Sequence, residues 1–194
     1  MRLHMMHRKA PRPSLRELAA AAGVTVPTLR HYFGPRPKVV EAIFEECLRL
    51  GRDGLDAQGR SDRPFEESIE DYTRALIGAL RAEHDVKLGD IFAVSLGEGL
   101  LDPGVSASTL RFIIDPTVDT LENRLGDHIA RGEMIETDAR AAALMLISPL
   151  LLAFLHQEQM CGASTRPLSL DALAETLAAA FVRAYATPPA SAAI

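Results

Sequence analysis

Basic side chains that could bind phosphate are concentrated at the start of this chain. Residues 1–38 carry eight of its 21 Lys and Arg residues but one of its 26 Asp and Glu residues, a local net charge of +7. The remaining residues carry −12, and the whole chain has a formal charge of −5. Lys and Arg neutralise the phosphates of nucleic acids. We therefore expect the first 38 residues to meet a polyanion and the acidic remainder to do something else.

Catalytic motifs are missing from the sequence. It has no G-x-S-x-G nucleophile turn, no phosphate-binding G-x-x-x-x-G-K-[ST] loop and no H-E-x-x-H zinc motif. The stretch Gly97-Glu98-Gly99 is a fragment of a dinucleotide fingerprint without the third glycine or a preceding strand. We expect no enzyme activity and no cofactor.

Metal binding and membrane insertion are not expected either. His4 and His7 are three residues apart, but no third ligand is near, and exposed histidines are the simpler interpretation. Cys47 and Cys161 form no C-x-x-C pair, which favours two reduced thiols. The most apolar run, Ala141–Leu155, is shorter than the ~18–20 residues that span a bilayer. With no secretory signal visible at the start, these features predict a cytoplasmic protein.

The elements that position the basic residues are helices, because apolar residues recur at helical spacing and alternating strand patterns are scarce. Capping residues and breaks at Pro and Gly predict their ends. A bend is expected at Asp115-Pro116 and interruptions at Gly89, Gly97 and Gly99. We predict helices over residues 15–22, 26–33, 37–57, 64–80, 86–100, 106–131, 138–160 and 170–185. The predicted fold is all-α, a small N-terminal head followed by a larger antiparallel helical body.

Residues 15–34 of the head meet the physical demands of a helix-turn-helix. Ser14 and Glu17 can form a capping box at the start of the first helix. Ala19 is small enough for two helices to cross, and Gly23 permits the positive φ of a tight turn. The apolar interior would come from Leu15, Leu18, Val24 and Leu29. The second helix would then be free to enter a DNA major groove.

The stretch Ser14–Val40 resembles the TetR family of transcriptional regulators. The matching motifs are Ala22-Gly23-Val24-Thr25 and Thr28-Leu29-Arg30-His31-Tyr32-Phe33, with Arg36 three residues beyond the Phe. The resemblance implies a DNA-binding domain over residues 1–40, a ligand-binding and dimerisation domain over 41–187 and a flexible tail over 188–194. Alignment at Ser14 leaves Met1–Arg8 for the family's first helix, so we expect either a shortened first helix that supports the head less well or a start codon assigned inside the reading frame.

The resemblance also implies roles for residues around the second helix. Val26, Pro27 and Thr28 occupy its first turn and would face base edges. Arg30, where the family usually has Tyr, would join them and could pair with guanine. Phosphate contacts that fix the register are expected from Thr25, His31, Tyr32, Arg36 and Lys38.

Simpler interpretations remain open for several of these side chains. Arg30 could contact phosphate instead of a base. Tyr32 could be a core aromatic residue, and His31 and Lys38 could be exposed without a partner. Phe33 is expected in the core.

The last two predicted helices carry more apolar surface than one core needs. Ala141–Leu155 is apolar all round, and residues 170–185 carry a broad apolar stripe. In the resembling family these two helices form the dimer interface. We therefore expect a homodimer that meets both halves of a palindromic DNA operator, the alternative being burial in one large core.

The middle helices are expected to enclose a pocket for a small-molecule effector. Trp is absent and aromatic residues make up 5% of the chain, which mildly favours an aliphatic ligand. Candidate lining residues, each of which could be merely structural, are Tyr72, Phe92, Ser95, Phe112, Asn123, Met145, Phe154 and His156. The predicted function is a ligand-responsive DNA-binding regulator, most simply a repressor. The alternative is a dimeric helical ligand-binding protein whose shortened head no longer binds DNA.

Overall fold

The computed structural model describes residues 12–83 and 87–188, and these residues are mostly helical, with no strand among them. The predicted first helix, His4, His7 and the residues beyond 188 lie outside the described residues. The helices are α1 (Leu15–Ala21), α2 (Val26–Phe33), α3 (Arg36–Gln58), α4 (Phe65–Arg81), α5 (Leu88–Leu101), α6 (Pro103–Thr109), α7 (Asp115–Ala130), α8 (Ala139–Phe154), α9 (Gly162–Thr165) and α10 (Leu170–Tyr185). The all-α prediction is confirmed.

Side-chain caps begin several helices where the sequence predicts them. The Ser14 hydroxyl accepts a hydrogen bond from the Glu17 amide at 3.3 Å, and the Glu17 carboxylate accepts from the Ser14 amide at 2.7 Å. Thr25, Asp138 and Ser169 cap α2, α8 and α10 in the same way, each accepting from the amide three residues later. These bonds satisfy amides that have no partner within the helix.

The irregularities of the middle helices differ from those predicted. Helix α5 continues without interruption through Gly97 and Gly99. At the predicted bend, a π-helical turn over Leu110–Ile114 joins α6 to α7, directly before Pro116. Because proline has no amide hydrogen to donate, a change of hydrogen-bond pattern beside it is expected. A second π-helical turn, Leu155–Gln159, extends α8.

The chain divides into two compact units. The first unit comprises residues 1–53 and 80–116. Its core combines residues of the helix-turn-helix with others from α3, α6 and the π-helical turn, and the fully or nearly buried members are Leu18, Ala19, Leu29, Val39, Val40, Ile43, Phe44, Cys47, Val105 and Phe112. The helix-turn-helix therefore shares one hydrophobic core with residues that lie more than 60 positions later in the chain.

The second unit comprises residues 54–79 and 117–194. Helices α8 and α10 pack against each other in this unit. The loop before α8 pairs with the chain after α10, since the Thr187 amide donates to the Glu133 carbonyl at 3.0 Å. The two units do not coincide with the functional boundary expected near residue 40, which stays a prediction.

One helix of the described residues, Ala139–Gln159, is long and apolar enough by length and composition to cross a membrane. The helix that contains the apolar run of the sequence is thus 21 residues long. Core helices of folded proteins pass the same test. About two thirds of its most apolar window is not buried within the chain, since 33% is buried.

Candidate nucleic-acid interface

The turn between α1 and α2 has the geometry predicted from the sequence. Gly23 has a φ of 68°, a conformation that side chains with a Cβ rarely adopt. The Val24 amide returns to the Ala19 carbonyl at 3.0 Å, and both Ala19 and Leu29 are buried. The prediction was wrong for Phe33, which is 41% exposed, and Val24 is exposed too. Leu29 therefore anchors α2 to the core, Val26 packs at the edge of that core, and the other residues of α2 are exposed.

Most of the predicted DNA-contacting residues lie on the exposed surface of α2. Thr25 shares a 2.8 Å hydrogen bond with the Thr28 hydroxyl, which fixes both at the start of the helix. Val26 is half-buried, whereas the other residues of this set are exposed, namely Thr25, Pro27, Thr28, Arg30, His31 and Tyr32. The interpretation of Tyr32 as a core aromatic is wrong, because its ring is exposed and stacks edge-on against His31 at 5.3 Å.

The exposed basic residues differ in whether a carboxylate already binds them. Arg30 on α2 and Arg16 on α1 make no ion pair with any described residue. Lys38 donates to Glu41 at 2.6 Å within α3, an exposed pair that contributes little stability and opens easily. All three cations are thus available to a polyanion.

Arg36 is placed differently from the other predicted phosphate contacts. Its guanidinium forms a bidentate ion pair with Glu98, with Nη2 to Oε1 at 2.6 Å and Nη1 to Oε2 at 2.9 Å. The Arg36 side chain is 17% exposed and that of Glu98 is 3% exposed. Removing one partner of a buried ion pair costs about 3–5 kcal/mol. Arg36 is therefore a structural residue of the first unit, and its phosphate contact stays a prediction.

Sequence reasoning missed the carboxylates that surround Arg36. Arg12 donates through Nε to Glu98 at 2.9 Å and through Nη2 to Asp102. Asp102 also caps α6, because it accepts from the Gly104 amide at 3.0 Å. A signal was present, since Glu98 and Asp90 are the only charged residues in the 14-residue apolar helix α5.

Three of the predicted ligand-binding residues belong to the first unit. Phe112 packs in its hydrophobic core, with Ile91 and Val94 at the edge of the same cluster. Ser95 is fully buried and donates to the Phe92 carbonyl of its own helix at 3.0 Å. These contacts give Phe112 and Ser95 a structural role. Of the three, the half-buried Phe92 has side-chain surface exposed for contact with a ligand.

The other five predicted ligand-binding residues belong to the second unit. Tyr72 and Phe154 are buried, whereas Asn123, Met145 and His156 are exposed. Met145 accepts a hydrogen bond from the Tyr185 hydroxyl at 3.2 Å. Their placement favours the two buried residues as candidates for an enclosed ligand.

Tyr72 lies against a buried cation. The Arg124 guanidinium stands 5.5 Å from the centre of the Tyr72 ring, and burial raises the pKa of Tyr72. Arg124 donates to the carbonyls of Ser68 and Arg60 at 2.9 and 3.1 Å, while its Nε has no hydrogen-bond partner. These bonds hold the chain that precedes α4 and the first turn of α4 against α7.

Ser68, His128 and Glu133 have the order of a catalytic triad. The Ser68 hydroxyl lies 2.8 Å from His128 Nε2, and His128 Nδ1 lies 2.6 Å from Glu133 Oε2. Ser68 and His128 are both fully buried, so no substrate reaches the hydroxyl in this structure. Burial lowers the pKa of His128, and hydrogen bonds from Arg131 and His128 lower that of Glu133. The arrangement joins α7 to α4 as a structural network.

Solved structures with this architecture include TetR-family transcriptional regulators. One from Mesorhizobium loti superposes with a TM-score of 0.70 at 16% sequence identity, over 95% of this chain and 92% of the other. One from Rhodococcus sp. gives 0.67 at 16% identity, over 94% and 93%. The fatty acid degradation regulator FadR from Bacillus halodurans gives 0.63 at 18%, over 88% and 84%. No protein-family model and no curated protein matches the sequence.

The chain therefore has the fold of the TetR-family regulators, as the resemblance of residues 14–40 predicted. The similar structures are described as regulators rather than enzymes.

Proposed function

We propose that this chain is a cytoplasmic, dimeric, ligand-responsive repressor that binds a palindromic DNA operator. The observation that carries the proposal is the exposed surface of α2 on a helix-turn-helix whose turn and buried anchor are both in place. The similarity to solved regulators supports the fold on which this surface depends.

The base contacts in this proposal come from the first turn of α2, which holds Val26, Pro27 and Thr28, and from Arg30 in the next turn. Pro27 and Val26 offer apolar contacts suited to thymine methyl groups, and Arg30 offers a bidentate pair to guanine. Thr25, His31, Tyr32 and Lys38 hold neighbouring phosphates and fix the register of the helix in the major groove.

The dimer forms through α8 and α10. Helix α8 is apolar along its length, and it nevertheless exposes three large apolar side chains, those of Leu144, Met145 and Leu152. Exposed apolar surface of this extent on a packed helix favours burial against a second copy. Two-fold symmetry then presents two heads to half-sites ~34–36 Å apart.

A small molecule releases the DNA in this proposal. The chain has no Trp and few aromatic residues, which favours an aliphatic effector over a flat aromatic cation. The name of FadR, one of the similar structures, refers to fatty acid degradation, which fits such a preference. Tyr72 and Phe154, which are both buried in the second unit, are the residues of that unit best placed to line an effector site.

Salt titration of DNA binding tests the proposal. A duplex is first selected by the wild-type chain from a random-sequence pool, and its affinity is then measured at 50–300 mM salt. We expect log K to fall linearly with log[salt], with a slope of several units, because each phosphate contact releases counterions. Absence of any salt-sensitive duplex binding would refute the repressor and favour the alternative of a ligand-binding protein without DNA affinity.

A further inference from the structure

A single buried carboxylate connects the segments that flank the helix-turn-helix. Glu98 of α5 accepts hydrogen bonds on both of its oxygens. Oε1 accepts from Arg36 at 2.6 Å, and Oε2 accepts from Arg36 and from Arg12, both at 2.9 Å. Arg12 precedes α1, and Arg36 is the first residue of α3. Glu98 thus holds the chain immediately before and immediately after the DNA-binding motif.

Each of the three guanidinium nitrogens of Arg36 already donates to a protein acceptor in this arrangement. Its Nε donates to the Pro13 carbonyl at 2.8 Å, and its two terminal nitrogens donate to Glu98. Pro13 adjoins Ser14, the cap of α1. The planar guanidinium therefore fixes the start of α1, the start of α3 and α5 relative to one another, through three bonds of fixed direction.

The corner between α5 and α6 takes part in the same cluster. Asp102 accepts from Arg12 through one oxygen and from the Gly104 amide through the other. A Cβ added at Gly104 would lie 3.2 Å from the Pro37 ring, so the start of α6 and the start of α3 are in close contact. The motif is therefore held by charge and by packing at the same place.

We propose that Glu98 is a positioning residue for DNA binding, and that Arg36 acts through Glu98 instead of touching a phosphate. The inference rests on the proposed function. Withdrawing Arg36 toward DNA would leave a nearly fully buried carboxylate without its bidentate partner, a much larger loss than an exposed phosphate contact returns. Arg36 consequently stays with Glu98 when the protein binds DNA.

The proposal predicts an effect opposite in sign to that of simple electrostatics. Glu98→Gln removes a negative charge from the DNA-binding unit, which by charge alone strengthens attraction to a polyanion. If Glu98 positions the motif, the same substitution weakens binding, because an amide cannot accept the three charged hydrogen bonds. Glu41→Gln is the matched control, since it removes the same charge from a partly exposed residue paired with Lys38.

Equilibrium binding to the duplex selected by the wild-type chain tests these variants. We expect Glu98→Gln and Arg36→Lys each to weaken binding at least about tenfold, because lysine keeps the charge but cannot form the fork-shaped pair. Glu41→Gln should bind as tightly as the wild type or more tightly. The slope of log K against log[salt] should be unchanged in Arg36→Lys and in Arg36→Ala, because neither loses a phosphate contact.

Three results would overturn the proposal. They are wild-type or tighter binding by Glu98→Gln, wild-type binding by Arg36→Lys, and a decrease of about one unit in the salt slope of Arg36→Ala, the signature of a lost phosphate contact.

Amide hydrogen exchange on the wild type, Glu98→Gln and Glu41→Gln provides a readout that does not depend on DNA. We expect amides of Leu15–Phe33 to exchange faster in Glu98→Gln, with the second unit unchanged and the far-UV circular dichroism retained. Equal exchange in the two variants would refute the positioning role even if the wild type bound no DNA. If Glu98→Gln fails to fold, Arg36→Lys is measured in the same way. Failure of the wild type to bind any duplex would refute the proposed function alone.

Discussion

His128 makes the stability of the second unit depend on pH. Its imidazole is fully buried between Ser68 and Glu133, with Arg131 and Arg124 as the nearby cations. Burial lowers its pKa below the value of about 6.5 expected in the unfolded chain. Below about pH 6.5 the unfolded chain therefore binds more protons than the folded protein, and the free energy of unfolding falls as the pH is lowered.

Glu133 contributes in the same direction at lower pH. Its folded pKa is lowered by hydrogen bonds from Arg131 and His128, so its stabilising effect is present above the unfolded pKa and is lost as pH falls toward the folded value. The two groups together predict a continuous loss of stability on acidification.

Urea unfolding at pH 5, 6, 7 and 8 measures this dependence. We expect His128→Gln to lower stability at pH 8 and to flatten the change between pH 7 and pH 5. His31→Gln, at an exposed histidine, is the control for the loss of an imidazole. Parallel profiles for the wild type and His128→Gln would contradict the assignment of the dependence to His128.

Among helical elements, α5 shows why two neighbouring glycines have different roles. A Cβ at Gly99 would lie 2.5 Å from the Thr109 hydroxyl oxygen and 2.8 Å from the Thr109 Cβ, whereas a Cβ at Gly97 would have no neighbour within 4 Å. Helices α5 and α6 are also joined there by the Ser106 hydroxyl, which donates to the Gly99 carbonyl at 2.7 Å. Gly99 is therefore required by close packing.

Substitution of each glycine by alanine separates packing from helix propensity. Gly97→Ala should stabilise the protein by about 0.5–1 kcal/mol, since alanine favours a helix over glycine. Gly99→Ala should destabilise it by about 1–3 kcal/mol, because α5 and α6 must move apart to admit the methyl group. Thermal unfolding measures both effects. If the unfolding midpoints of the two variants shifted in the same direction, the different roles of Gly97 and Gly99 would be contradicted.

The elements were predictable to the extent that local chemistry determines them. Ser14, Thr25 and Gly23 act on residues within five positions, so their caps and turn followed from the sequence. The pairing of Arg36 with Glu98 spans 62 positions and depends on how α5 packs on the head, which no local pattern contains. The exposure of Phe33 has the same origin, because an aromatic residue at a helix end is buried only if another element covers it.

The whole molecule is predicted to associate through α8. Leu152 on this helix is 67% exposed. Leu152→Glu should convert a dimer into a monomer, because a charge buried in an apolar interface without a partner is strongly unfavourable. Sedimentation equilibrium measures the change. Leu100→Glu, at a leucine 77% exposed in the first unit, is the control and should stay dimeric. A wild-type mass for Leu152→Glu would exclude α8 as the interface.

The first unit is built from two separate stretches of the chain, and this determines when the head can fold. Leu18 and Leu29 share their core with Val105 and Phe112. During synthesis, which proceeds at about 5–20 residues per second, the helix-turn-helix leaves the ribosome several seconds before those residues do. It therefore completes its core late, after more than half of the polypeptide has been made. A nascent chain that stops before α6 would present an incomplete head. A chimaera that joins residues 1–40 of this chain to the body of another protein would separate Arg36 from its partner Glu98.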